Sequence, residues 1–170
     1  MRKKLIGLII FGIAFGFVEA TVVFYLREIF HYTDNYLLSD YKVLFNTGII
    51  TFIWPKVPIL NNTQINFAEL QREIATIIML LTVSYMSATK WKQRLGAFLI
   101  TFAFWDIFYY VFLKYLTGWP KSLLDIDVYF LIPVPWIGPV ITPIIISTIL
   151  ATIGTRLYLE PKSSKTTRNS

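Results

Sequence analysis

Four stretches of this chain, residues 5–26, 67–88, 95–116 and 137–159, carry Ile, Leu, Phe and Val around the whole circumference of a helix. About 20 helical residues at 1.5 Å rise cross a 30 Å hydrocarbon core, and each stretch reaches that length. The 170-residue chain is 55% hydrophobic and only 15% charged, more apolar than a water-soluble core of this size requires. These observations predict an all-α integral membrane protein with four transmembrane helices, forming a single domain over residues 1–160. The tail 161–170 is polar and is expected to be a disordered cytoplasmic extension.

Charge placement orients the bundle. Arg2, Lys3 and Lys4 precede the first stretch, and Lys90, Lys92 and Arg94 fill the link between the second and third. Arg156, Lys162, Lys165 and Arg168 close or follow the fourth. With four spans, these ten of the 16 basic residues fall on one side, the cytoplasmic one. Both termini then lie inside, in a cell inner (plasma) membrane. Net charge is +6, but the basic residues flank apolar runs, so the partner they imply is the lipid bilayer and not nucleic acid. Residues 43–54 are a fifth apolar stretch, too short to span and ending at Pro55. A fifth span would also move Lys90–Arg94 outside. The reading is therefore an outer segment, re-entrant or interfacial, paired with a second one over 117–136. Proline at 139 and 143 predicts a distorted first turn for the fourth helix. Trp119 and Trp136 suit an outer aromatic belt, and Trp91 an inner one. Val18-Glu19-Ala20 is similar to a signal-peptide cleavage site, but the apolar run continues through Leu26, which favours a retained span.

The acids sort the other way. Of the ten, only Glu160 falls on the cytoplasmic side. Glu19, Glu73 and Asp106 sit inside helices, where an ionisable group costs several kcal/mol, roughly 2.5–3.5 on the mildest scale. Such a group needs a partner, a cavity or a pathway. Glu19 follows Gly16 by three residues on a stripe of Gly12, Gly16 and Ala20, which lets a second helix approach. A packing seam closed by one ion pair and a functional site are both open for it. Arg72 is the cation expected to neutralise a buried carboxylate. Glu69 reads as the third residue of a capping box begun by Asn66. Asp106 lies mid-helix with Tyr110 one turn away, so a hydrogen bond from Tyr110 or an ion pair with Arg72 is expected. Asp125 and Asp127 read as a solvated turn or as an acidic pair at a cavity mouth.

Several chemistries find no support. The chain has no cysteine and a single histidine, His31, in a loop. Neither a thiolate metal site nor a Glu-x-x-His di-iron site is expected, and no cofactor is implied. No nucleophile–base motif, P-loop or dinucleotide fingerprint occurs. The functional expectation is a small proton- or cation-handling transporter or channel-like protein. Its pathway would use Glu19, Glu73, Asp106, Arg72 and Tyr110, and four helices would call for a homodimer or larger membrane complex. The alternatives are an accessory or assembly subunit of a membrane complex, and a membrane enzyme acting on a lipid-soluble substrate.

One group of segments resembles a known set of proteins. These are Glu19-Ala20 with Tyr25-Leu26-Arg27, Arg72-Glu73-Ile74-Ala75-Thr76 with Met79-Leu80, Trp105-Asp106-Ile107-Phe108-Tyr109-Tyr110, Gly118-Trp119-Pro120 with Ser122-Leu123, and Leu131-Ile132-Pro133-Val134-Pro135-Trp136 with Gly138-Pro139-Val140. Together, over about 19–150, they are similar to an uncharacterised group of small multi-pass prokaryotic membrane proteins. The resemblance implies a bacterial or archaeal inner membrane and carries no activity or site residue with it.

Overall fold

The computed structural model describes residues 2–30, 41–55 and 62–160. The tail 161–170 and the loop residues His31, Asp34 and Asp40 lie outside the described residues. Four helices dominate: α1 (Arg2–Phe30), α2 (Thr63–Ser87), α3 (Trp91–Thr117) and α4 (Ile141–Leu159). Three of them, α1, α3 and α4, are long and apolar enough to cross a membrane. Helix α2 has the length, at 25 residues, but lacks the apolarity expected of it. Gln64, Asn66, Glu69, Gln71, Arg72 and Glu73 crowd its first half.

The all-α expectation needs a correction. Four strands, β1 (Tyr41–Asn46), β2 (Thr51–Pro55), β3 (Ile126–Phe130) and β4 (Trp136–Pro139), form one antiparallel sheet in the order β1-β2-β4-β3. The segment 43–54 is thus a hairpin. Asn46, Thr47 and Gly48 are its turn: the Asn46 side chain accepts from Gly48 N–H at 2.7 Å, and Gly48 takes the positive φ of 89° that favours glycine. Residues 137–139, expected to open the fourth helix, belong to β4. Helix α4 starts at Ile141, which puts Pro143 in its first turn, where proline removes no helical hydrogen bond.

Helix α3 is the hub. Gly12 and Gly16 of α1 press onto its backbone: a Cβ on Gly12 would lie 2.8 Å from Thr101 O, and one on Gly16 2.8 Å from Trp105 O. The matching order of these contacts makes α1 and α3 parallel. Gly96 and Gly154 meet in the same way where α4 crosses α3 in the opposite direction. Helix α2 joins through a buried Ser84–Thr101 hydroxyl contact of 3.2 Å. Helices α1 and α2 scarcely touch one another.

The two ends of the bundle differ. At one, Lys4 Nζ donates to Ser87 O (3.3 Å), Gln93 Nε2 to Tyr158 O (3.4 Å), and Lys92 faces Glu160 at 3.5 Å. Above that basic end, Leu8, Ala97, Ile100 and Tyr158 form a closed apolar core. The sheet covers the other end. A run of rings fastens it to α3: Phe102 and Trp105 meet Phe130 at 6.3 and 5.9 Å, Phe130 stacks on Trp136 at 5.8 Å, and Trp136 stacks on Phe52 at 5.7 Å. Trp136 is therefore a structural ring of the sheet, while Trp91 is 75% exposed at the basic end.

Candidate functional site

Under the sheet, between α1, α2 and α3, lies a cavity of about 110 Å³. Glu19, Arg72, Glu73, Asp106 and Tyr110 all line it, joined by Glu69, Asp127, Arg27 and Tyr109. Such a volume holds several waters or one small ligand.

Glu19 reaches this wall because Gly16, one turn below, lets α1 lie directly on α3. Glu19 is only 8% exposed as a residue, and its carboxylate forms an ion pair with the guanidinium of Arg72. Arg72 also holds Glu69, through Nε (2.8 Å) and Nη2 (2.7 Å). One guanidinium thus ties two carboxylates, one from each side of the gap between α1 and α2.

Glu69 does not cap the helix. Asn62 does: its side chain accepts from Gln64 N–H at 2.8 Å and Ile65 N–H at 3.2 Å. Helix α2 therefore begins earlier than the sequence suggests, and Glu69 sits in its second turn, within reach of Arg72.

Glu73 faces the sheet. Both of its oxygens accept from Leu131 N–H, at 3.0 and 2.9 Å, just past the end of β3. A partly buried backbone donor is thereby satisfied by a carboxylate from another element. Asp106 accepts from Ser147 Oγ of α4 at 2.7 Å. Neither expected partner, Tyr110 or Arg72, holds it. The Tyr110 hydroxyl donates instead to Asp127 Oδ2 at 2.8 Å. Asp127 is 5% exposed on β3, so the sheet inserts a further acid into the cavity wall. Asp125 is the turn residue of the pair, accepting from Lys121 N–H (2.7 Å) and Ser122 N–H (3.1 Å).

Aromatic groups complete the wall. The Tyr129 hydroxyl donates to Pro139 O at 2.7 Å, and burial pushes its phenol up to about 12, so it stays protonated at neutral pH. Trp105 is 5% exposed, and its buried indole N–H has no hydrogen-bond partner among the described residues. Arg27 lies over the Trp119 ring at 4.5 Å. Among the described residues, no three acids gather as metal ligands would; the carboxylates are separate stations around one space.

Ser147, Tyr129 and the Leu131 amide are the participants the sequence did not point to. A serine in an apolar helix ordinarily satisfies itself on a carbonyl one turn back, so nothing marks Ser147 as a donor to another helix. Of the acidic pair that the sequence left as a turn or a cavity-mouth pair, Asp127 lines the cavity and Asp125 holds the turn.

The fold and site define a helical bundle, largely apolar, with an acid-lined cavity beneath a small antiparallel sheet. Comparison with protein-family models, curated proteins and solved structures gives no match, and so lends no support to the prokaryotic resemblance.

Proposed function

We propose that this chain is a four-span inner-membrane protein that moves protons or small cations through the cavity, with the sheet on the outer face and both termini in the cytoplasm. The observation that carries the reading is convergence. Five carboxylates, Glu19, Glu69, Glu73, Asp106 and Asp127, come from α1, α2, α3 and β3 to one small space with two guanidinium groups, Arg27 and Arg72, in its wall among the described residues. Intramembrane acids around a hydrated volume are the usual stations of a proton or cation path. Leu8, Ala97 and Ile100 pack the cytoplasmic half closed, which suits a carrier with its site in the outer half better than a continuous pore. In this reading α2 is a span whose polar outer half faces the cavity and the sheet. An accessory subunit would be better served by a free small-residue face on α1, but Gly12 and Gly16 are covered by α3.

Glu73→Gln and Asp106→Asn test the proposal. Each amide can still accept the hydrogen bond, from Leu131 N–H or Ser147 Oγ, yet neither can carry a proton. In liposomes with an imposed pH or cation gradient, each variant should keep its melting temperature and lose about 100-fold or more in flux, the lower end of what a general acid–base group typically contributes. Flux equal to that of the unmodified protein in both would leave the acids structural and end this reading.

A further inference from the structure

A second recess lies at the opposite, basic end, between α2 and α3, with a volume of about 330 Å³. Its floor is apolar, made by Leu81, Leu95 and Phe98. Arg94 stands at its rim. The guanidinium stacks on Tyr85 at 3.7 Å, and Nε donates to Ala88 O at 2.9 Å. The two Nη groups make no hydrogen bond among the described residues, so the charge is held in a fixed place with donors to spare. Beside it starts α3, whose N-cap residue Lys90 supplies no side-chain hydrogen bond, leaving the first N–H groups of the helix uncapped. Lys90 and Lys92 are exposed next to them, Lys92 facing Glu160 at 3.5 Å. Fixed guanidinium, helix N-terminus and lysines all favour an anion, while the recess beneath favours hydrocarbon.

On the four-span reading, this recess faces the cytoplasmic leaflet. We propose that it seats one anionic phospholipid, its phosphate on Arg94 and the α3 N-terminus and one acyl chain over Leu95 and Phe98. Basic pockets between helices on this side of a membrane take such head groups. The lipid would clamp α2 to α3 at the end remote from the cavity. The proposal does not depend on what the cavity carries.

Thermal unfolding of the full chain in neutral detergent tests it, with phosphatidylglycerol, phosphatidylcholine of the same chains, or inorganic phosphate added. Phosphatidylglycerol should raise the melting temperature by at least about 5 °C, and native mass spectrometry should find one such lipid per chain. The other two additives should not raise it. Arg94→Gln should halve the shift or more. Leu95→Trp, which fills the recess and leaves Arg94 in place, should abolish it. An equal shift with phosphatidylcholine would mean unspecific lipid, and one with phosphate alone a bare anion site; either overturns the proposal. So does a full phosphatidylglycerol shift in Leu95→Trp, which decides the matter even if Arg94→Gln does not fold.

Discussion

At the scale of single residues, Arg72 is the most consequential side chain in the site. It neutralises Glu19 and Glu69 together, and its side chain is 24% exposed against 10% for Glu19 and 11% for Glu69. Removing one member of a fully buried pair costs about 3–5 kcal/mol because the other charge is stranded. Partial exposure of the guanidinium lowers this to about 2–3 kcal/mol here. Arg72→Leu should therefore lose roughly 4–12 °C in melting temperature in detergent. Adding Glu19→Gln should recover part of that loss, since the stranded carboxylate goes with it. An additive double variant would show that Glu19 and Arg72 are not coupled. Asp106 depends on a different logic. Ser147→Ala should destabilise the protein by about 1–3 kcal/mol, because it leaves a buried carboxylate without its donor. Asp106→Asn should cost much less, as the amide oxygen still accepts from Ser147. The residues that carry a charge into an apolar helix were legible in the sequence for the same reason they are costly: each demands an answer elsewhere. What the sequence left open was who answers. Asp106 had two plausible partners within view and took a third, because a serine hydroxyl can turn to either its own helix or a neighbour without changing the pattern of residues around it.

Among elements, contact between helices is governed by glycine. Gly16 and Gly154 let α1 and α4 lie on α3 with backbone against backbone, and a Cβ at Gly154 would stand 2.8 Å from Gly96 O. Gly7, on the same helix as Gly16, has nothing within 4 Å of its would-be Cβ. Gly16→Val and Gly154→Val should each destabilise the bundle by about 1–3 kcal/mol or more, because the whole helix must move out. Gly7→Ala should be neutral or stabilising by up to about 1 kcal/mol. Melting of the three variants side by side in one detergent checks the contrast; equal behaviour would mean the glycine seams do not hold the helices. The stripe on α1 was visible in the sequence as a four-residue spacing. Gly96 and Gly154 were not, since each stands alone in its helix and no spacing announces it. The strands were hidden for a related reason. Residues 43–54 are apolar without alternation, and the β1 side chains are mostly exposed, so the two-residue period that marks a half-buried strand is absent. The Asn46-Thr47-Gly48 turn is the signal for a hairpin in this segment, and the re-entrant or interfacial reading passes over it.

For the whole molecule, the two unlike ends make the sharpest prediction. The chain contains no cysteine, so single cysteines report without background. Thr89, exposed in the α2–α3 link, and Ser122, exposed in the turn before β3, should lie on opposite sides of the membrane. A membrane-impermeant thiol reagent added to intact cells should label Ser122→Cys and spare Thr89→Cys. Labelling of both from outside would rule out the four-span arrangement. The parallel pairing of α1 with α3 has a consequence for biosynthesis. A ribosome delivers helices in order, and the natural first partner of a newly made span is the one that follows it. Here α2 offers α1 little surface beyond the Arg72 ion pair, and the glycine stripe of α1 finds its mate only when α3 emerges. Helix α1 would thus be held to α2 by one charge pair until α3 arrives to seat it.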